Sequence, residues 1–232
     1  MIQRILTAAV LIPLVLLLIL RAPIWLLAIV AGIVALLAIR EFLALMPHYG
    51  VEPFSAATYV YSGIFFLFIG GMASSLVPAF FAALSPFVFL AVGMRRGSLS
   101  SIYPSAAASA FAFIYVAVPM KMLLQLRPEL LIYLMIVVWS GDIFAYFIGK
   151  YLGKHKMAAR ISPKKTWEGA AASWIASVGF GTLFLTHVAP VCNWLIRAHL
   201  LEAGSDWSEP LRWPIWGMIL VSSVLNFAAQ FR

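Results

Sequence analysis

The stretch GDIFAYFIGKYLGKHKMAARISPKKTWEG, residues 141–169, connects two long apolar runs and carries six of the sixteen lysine and arginine residues of the chain. The sequence as a whole is strongly apolar: of its 232 residues 64% are hydrophobic and 10% are charged, and the mean hydropathy is +1.00. Soluble domains average roughly 45–50% hydrophobic and about 25% charged residues. The composition therefore excludes an ordinary soluble globule and indicates an integral membrane protein.

The apolar residues fall into runs separated by short polar breaks, and each helical span needs about 20 residues. Alternation with period 2 is absent, and an open sheet cannot sit in lipid. We therefore predict an all-α fold, a polytopic transmembrane helix bundle of about eight spans that forms a single integral-membrane domain over 1–232. The predicted spans lie near 5–20, 24–45, 56–72, 77–93, 105–124, 130–148, 170–190 and 213–229, with a basic loop at 149–167.

The charged residues limit the classes of partner and site. One cysteine, Cys192, excludes an intrachain disulfide and a cysteine metal cluster, and the four scattered histidines have no metal-ligand spacing. A net charge of +8 is compatible with nucleic acid or anionic lipid. The hydrophobicity favours the lipid bilayer and argues against nucleic acid. Because cytoplasmic loops are enriched in lysine and arginine, we expect the basic loop and both termini on the cytoplasmic side.

Three interpretations of the basic loop compete. It could serve topology alone, or attract anionic lipid at about 1 kcal/mol per lysine or arginine, or bind phosphate. Ser162 and Pro163 are typical of a helix start, with serine as the N-cap and proline at the first helical position. Lys164 and Lys165 would then lie in the first turn, where cations are unfavourable unless an anion binds there. The sequence thus predicts a phosphate site at this helix start.

Asp142 lies within an apolar span, where a carboxylate costs about 2.5–3.5 kcal/mol on insertion scales and marks a candidate functional residue. Tyr146 and Lys150 follow on roughly the same helix face. Asp142 is either a structural contact between helices or a metal or ligand group at the cytoplasmic end of the span. Glu168, the other acid nearby, either has a similar role or complements the helix N-terminus.

These motifs are similar to those of the phosphatidate cytidylyltransferase family, also called CDP-diacylglycerol synthases. The resemblance rests on an Asp-x-x-Ala-Tyr-x-x-Gly-Lys run at 142–150, on GKHK at 153–156 and on ISPKKTWEG at 161–169. It implies a multi-span enzyme of a bacterial-type inner membrane that uses Mg²⁺ to convert CTP and phosphatidic acid into CDP-diacylglycerol and pyrophosphate. A homodimer is left open. Carried onto this sequence, the resemblance implies three sets of site residues. Catalysis is assigned to Asp142, Lys150, Lys164 and Lys165, and metal binding to Asp142 and Glu168. Phosphate binding is assigned to Lys154, Lys156, Arg160, Ser162, Lys164, Lys165 and Thr166.

The chain departs from the family pattern at its C-terminal end. Family members continue into Pro-Gly-His-Gly-Gly and Asp-Arg-x-Asp runs, whereas this sequence stops at VLNFAAQFR. We therefore expect a truncated chain that is inactive alone, with the main metal ligands in the segment that is not present. The alternative is a non-catalytic membrane protein that binds anionic lipid or nucleotide at the basic loop. A transporter is disfavoured because paired broken helices and internal symmetry are not found.

The orientation can be tested by labelling a cysteine placed in the basic loop. In a Cys192→Ser background, Met157→Cys should react with a membrane-impermeant maleimide only after the cells are permeabilised, because the lysine-rich loop faces the cytoplasm. Strong labelling in intact cells would contradict this orientation.

Overall fold

The computed structural model describes residues 2–68, 76–94, 98–158, 162–199 and 214–230. Within these ranges the chain is helical apart from one short hairpin, which confirms the predicted all-α fold class. The strands of the hairpin are β1 (Lys156–Ala158) and β2 (Ser162–Thr166). The helices are α1 (Ile2–Arg21), α2 (Ile24–Leu45), α3 (Ser55–Leu67), α4 (Leu76–Gly93), α5 (Leu99–Ala112), α6 (Val118–Leu123), α7 (Pro128–Tyr151), α8 (Trp167–Thr186), α9 (Val188–Arg197) and α10 (Ile215–Gln230).

Two irregular segments join these helices. A π-helical turn at Phe113–Ala117 joins α5 to α6, and a 3₁₀ turn at Met46–Tyr49 follows α2. Among the described residues, five helical stretches are long and apolar enough to cross a membrane, and two of them include these irregular turns. They are Ile24–Tyr49, Leu76–Gly93, Leu99–Leu123, Pro128–Tyr151 and Trp167–Thr186.

Three further apolar helices are shorter, at Val10–Arg21, Ser55–Leu67 and Ile215–Ala229. The protein is therefore a multi-pass membrane protein, and the total of eight spans stays a prediction. The predicted span at 170–190 ends earlier than expected, because α8 stops at Thr186 and α9 begins at Val188.

The chain groups into two compact units, one formed by Met1–Arg21 with Pro128–Arg232 and the other by Ala22–Arg127. The core of the second unit is a cluster of aromatic rings. Phe65 and Tyr61 both meet the ring of Phe113 edge-on, at centroid distances of 5.1 and 4.7 Å. The Tyr61 hydroxyl donates to the carbonyl of Phe81 at 2.7 Å. Burying these rings stabilises the unit, and the hydrogen bond satisfies the one polar atom that Tyr61 brings into it.

Lys121 is fully buried in the second unit. Its ammonium group donates to the carbonyl oxygens of Phe65 and Phe68, the latter at 3.0 Å, and lies 4.3 Å from the centre of the Phe65 ring. Because α3 ends at Leu67 and Phe68 is its C-cap, the lysine satisfies carbonyls that the helix leaves without internal partners. Lys121, a residue of α6, thus caps the C-terminal end of α3. Its charge is buried and does not belong to the loop that follows α6.

The first unit is built on α7 and α8, which pack side by side and are joined by the hairpin. Its strands run antiparallel, with Lys156 opposite Thr166 and Ala158 opposite Ser162. The sequence has no β pattern, and the prediction that strands are absent is wrong for this hairpin. The strands have three and five residues, which is too short for an alternating pattern to appear. They lie between the end of α7 and the start of α8.

Removing the buried ammonium group should destabilise the second unit. Lys121→Met keeps an apolar chain of similar length but leaves the Phe65 and Phe68 carbonyls without this donor, at a cost of about 1–3 kcal/mol. Thermal unfolding of the purified protein in detergent should therefore shift to lower temperature, whereas the exposed Lys154→Met should leave it unchanged. An unchanged transition in Lys121→Met would rule out the capping role.

Candidate active site

A pocket of about 280 Å³ lies where the C-terminal half of α7, strand β2 and the start of α8 meet. Two lysines and one carboxylate give its lining a positive charge, and a serine and a threonine supply hydroxyl groups. The lining residues are Asp142, Ala145, Tyr146, Met157, Lys164, Lys165, Thr166, Gly169, Ala170 and Ser173. The structure thus brings together Asp142, Lys164, Lys165 and Thr166, four of the residues assigned from the sequence.

The helix that follows the basic loop begins four residues later than predicted, at Trp167 and not at Pro163. Ser162 is not its N-cap: Ser162–Thr166 is strand β2, and α8 begins at Trp167 with Thr166 as the cap. The Thr166 hydroxyl accepts from the Gly169 amide at 3.2 Å. Both Ser162 and Thr166 are good caps by residue type. Pairing of β2 with β1 decides between them, and it also keeps two cations out of the first helical turn.

Lys164 and Lys165 therefore reach the pocket from a strand and not from a helix N-terminus. Lys164 is exposed and Lys165 is half-buried. A strand places successive side chains on opposite faces, yet both residues line the pocket because β2 runs along its edge. The predicted anion site at a helix N-terminus is wrong in its local structure, while the two cations that suggested it do line a pocket.

Three glycines bring α7 close to α8 around the Thr166 side chain. A Cβ atom at Gly169 would lie 2.9 Å from the Ala145 carbonyl oxygen, and one at Gly149 would lie 3.1 Å from Thr166 Oγ1. A Cβ atom at Gly153 would lie 2.7 Å from the same hydroxyl. These contacts are closer than real Cβ atoms normally make. The glycines are thus required for the helices to pack, and the capping threonine is fixed between them.

Other residues assigned from the sequence lie outside the pocket lining. Lys150, in the last turn of α7, is exposed, and its ammonium group is 5.2 Å from the centre of the Tyr151 ring and 5.9 Å from that of Tyr146. Lys154 and Lys156 are exposed on the loop and on β1. Arg160 lies outside the described residues. Ser162 is half-buried at the start of β2.

Glu168 binds the loop that precedes the hairpin. Its carboxylate lies 2.6 Å from His155 Nδ1 and accepts from the His155 amide at 3.2 and 3.3 Å. The Trp167 amide in turn donates to the His155 carbonyl at 3.0 Å. Glu168 thus fastens the start of α8 to the start of the hairpin, and it is not among the residues that line the pocket.

The number of metal-ligating side chains at the pocket decides whether these residues could hold a divalent metal. Within the described part of the chain, no group of three or more His, Cys, Asp or Glu side chains is placed to hold a metal ion. Among the residues that the structure describes, Asp142 is the one carboxylate that lines the pocket. Mg²⁺ commonly binds one or two carboxylates together with substrate phosphates and water. Asp142 therefore fits a metal that is shared with a phosphate ligand, and does not fit a site made of protein ligands alone.

A buried hydrogen-bond network adjoins the pocket at Ser173. Asn226 of α10 donates through Nδ2 to Ser173 and Ser177 of α8, both at 2.8 Å, and Ser177 donates to the Val137 carbonyl at 2.7 Å. A Cβ atom at Gly141, next to Asp142, would lie within 2.9 Å of all three polar side chains. Amide side chains in membrane helices commonly join helices by hydrogen bonds, as Asn226 does here. The two serines, of which Ser173 also lines the pocket, had no sequence signal that distinguished them from packing residues.

A family model described as the cytidylyltransferase family matches residues 2–231. The chain belongs to the cytidylyltransferase family. The match covers nearly the whole chain and includes every element that surrounds the pocket. No solved structure matches the chain.

Curated relatives are similar over shorter segments. A phosphatidate cytidylyltransferase of Brucella abortus is 47% identical over 64 residues, which are 28% of this chain and 24% of that protein. The phosphatidate cytidylyltransferase of Pseudomonas aeruginosa is 58% identical over 40 residues, 17% of this chain and 15% of the relative. The phosphatidate cytidylyltransferase of Bacillus subtilis is 46% identical over 52 residues, which are 22% of this chain and 19% of that protein. The matches thus span about a quarter or less of the length of these curated relatives.

The glycine packing can be tested by a matched pair of substitutions in α8. Gly169→Ala should destabilise the protein by about 1–3 kcal/mol, because the new methyl group meets the Ala145 carbonyl and the Thr166 hydroxyl. Gly179→Ala meets nothing within 4 Å and should be neutral or stabilise by up to about 1 kcal/mol. Thermal unfolding in detergent measures both, and equal transitions in the two variants would exclude the close α7–α8 contact.

Proposed function

We propose that this protein transfers a cytidylyl group from CTP to phosphatidic acid, releasing pyrophosphate and giving CDP-diacylglycerol. Membership of the cytidylyltransferase family supports a nucleotidyl transfer, and the phosphatidate cytidylyltransferase names of the similar proteins support the lipid acceptor. The observation that carries the proposal is the pocket itself, where Lys164, Lys165 and Asp142 line one cavity at the end of two apolar helices.

The reaction places severe electrostatic demands on this pocket. A phosphate oxygen of phosphatidic acid attacks the α-phosphorus of CTP, a new P–O bond forms, and the bond to the β-phosphate breaks as pyrophosphate leaves. Both reactants are anions that repel each other. Lys164 and Lys165 would lower this repulsion and stabilise the charge that accumulates on the leaving pyrophosphate. Cations in a partly enclosed site at the edge of a membrane act through a lower dielectric than in water.

Mg²⁺ is the metal that we propose for this reaction. Asp142 would hold it, together with phosphate oxygens and water, in keeping with the single carboxylate of the pocket lining. When bound, a divalent cation neutralises phosphate charge and orients the transferring group. Tyr146 and Ser173, which also line the pocket, present hydroxyl groups to the same space.

The location of the pocket matches the physical state of the two substrates. It lies at the loop that we propose faces the cytoplasm, where CTP is dissolved, and at the ends of two candidate membrane spans. Phosphatidic acid could therefore present its phosphate to the pocket while its tails stay in the bilayer. This arrangement avoids the cost of moving two acyl chains into water, about 0.8 kcal/mol per methylene group.

One observation favours a second function, the binding of CTP or anionic lipid without turnover. Asp142 is the one carboxylate of the pocket lining, whereas a pair of metal ions would need further ligands. Assays that measure both CTP binding and CDP-diacylglycerol formation separate the two functions. Turnover supports the transferase, and saturable CTP binding without turnover supports the binding protein.

The role of the pocket lysines can be tested in membranes that contain the protein, supplied with labelled CTP, phosphatidic acid and Mg²⁺. Lys164→Gln combined with Lys165→Gln should lower kcat/KM by at least ~10-fold, about 1.4 kcal/mol of lost transition-state stabilisation. The matched variant, Lys154→Gln with Lys156→Gln, removes the same charge from the same loop outside the pocket and should have a much smaller effect.

Equal losses in the two double variants would mean that only the total charge of the loop matters. Unchanged kinetics in both double variants would mean that these lysines serve only the membrane topology of the protein.

A further inference from the structure

A second cavity of the first unit lies beside the candidate active site. It is a groove of about 560 Å³ between α8 and α10, and its lining is almost entirely apolar. Ala170 and Ala171 form its floor on α8, and Val224 and Phe227 form its wall on α10. The groove exists because two alanines lie where α8 would otherwise carry larger side chains. It is open along the surface of the two helices.

Two tryptophans of α8 border the groove at positions one helical turn above and below the alanines. Trp167 and Trp174 are both about half exposed, at 58% and 48%. The Trp174 indole donates through Nε1 to Ser223 Oγ at 2.9 Å, and Ser223 donates to the Ile219 carbonyl at 2.8 Å. This chain of bonds holds the indole against α10, so that it borders the groove without closing it. The two rings give the groove rigid apolar ends.

The groove adjoins the candidate active-site pocket. Met157 of β1 and Ala170 of α8 line both cavities, and Asn226 of the groove donates to Ser173 of the pocket. A second apolar groove of about 380 Å³ lies between α7 and α8, but it shares no lining residue with the pocket. One apolar groove therefore adjoins the cationic pocket, and the other does not.

From this adjacency we infer that the α8–α10 groove binds one acyl chain of phosphatidic acid while the lipid phosphate occupies the pocket of Lys164 and Lys165. The inference rests on the proposed function and names the place where its lipid substrate is held. A ligand that spans both cavities must be anionic at one end and a long hydrocarbon at the other. Phosphatidic acid has this chemistry, since its phosphate is attached directly to the glycerol that carries the chains. The apolar side chains of the groove exclude a second polar substrate from it.

Photolabelling tests this site without requiring turnover. The full chain in nanodiscs is irradiated with trace amounts of phosphatidic acid, phosphatidylglycerol or phosphatidylcholine, each with the same photoactivatable acyl chain. Labelled peptides are then mapped by mass spectrometry. Phosphatidic acid should label 167–174 and 223–227 several-fold more than either of the other lipids. Labelling of 144–148, in the groove that does not adjoin the pocket, should be equal for the three lipids.

Adjacent alanines of α8 provide a matched pair of variants. Ala171→Trp fills the α8–α10 groove, whereas Ala172→Trp fills the α7–α8 groove with the same side chain. Ala171→Trp should abolish the preferential labelling of 223–227 by phosphatidic acid, and Ala172→Trp should preserve it. Val224→Trp fills the groove from α10 and should repeat the effect of Ala171→Trp if that variant does not fold. Lys164→Gln with Lys165→Gln should remove the preference for phosphatidic acid while labelling by phosphatidylcholine persists.

Equal labelling of the groove by phosphatidic acid and phosphatidylcholine would overturn the inference, because the groove would then hold ordinary bilayer lipid. Equal labelling by phosphatidic acid and phosphatidylglycerol would also overturn it, since surface attraction of anionic lipid would explain the result.

Failure of the proposed function has a different signature. Preferential labelling without CDP-diacylglycerol formation would leave the acyl site intact and exclude the transferase. Where turnover is measured, Ala171→Trp should raise KM for long-chain phosphatidic acid and leave KM for CTP unchanged.

Discussion

The close contact of α7 with α8 is the constraint on which the candidate site depends. It requires hydrogen in place of a side chain at Gly141, Gly149 and Gly169, because a Cβ atom at each would meet a polar atom of the facing segment. The contact fixes Thr166 at the start of α8, and the hairpin that ends at Thr166 follows from it. Small residues permit such close approach of helices in membranes, where apolar burial gives little preference for helix over lipid. The pocket is the space that this contact leaves open beside β2.

A chain with so few charged residues still buries polar atoms, and most of these need a hydrogen-bond partner within the protein. Lys121 caps α3, and Asn226 joins two serines of α8. Each replaces bonds that water would make in a soluble protein, since lipid offers none. The network beside Gly141 holds α7, α8 and α10 together.

Charge and hydrocarbon meet at one place in the first unit. Lys164 and Lys165 reach the pocket from β2, and the alanine floor of the neighbouring groove lies on α8. A phosphate and an acyl chain of one lipid would need these environments side by side. The short hairpin makes this possible because it carries the lysines back over the end of α8. A helix that began at Ser162 would have carried them away along its own axis.

The sequence by itself determined the fold class, the family and the residues that supply the charge. Composition and run length indicate membrane helices because lipid selects for both. The stretch 141–169 marks the candidate site because it holds five of the six lysines of the chain. Only the tertiary structure decided that Ser162 lies in a strand and that Thr166 is the cap. Serine and threonine are both favoured as helix N-caps, so the local sequence does not choose between them. The pairing of β2 with β1 makes the choice, because it places Ser162 in a strand. The joining of Asn226 to Ser173, the attachment of Glu168 to His155 and the groove between α8 and α10 also arise from contacts between segments distant in sequence. Such contacts depend on how the helices pack, and no local pattern of residues encodes them.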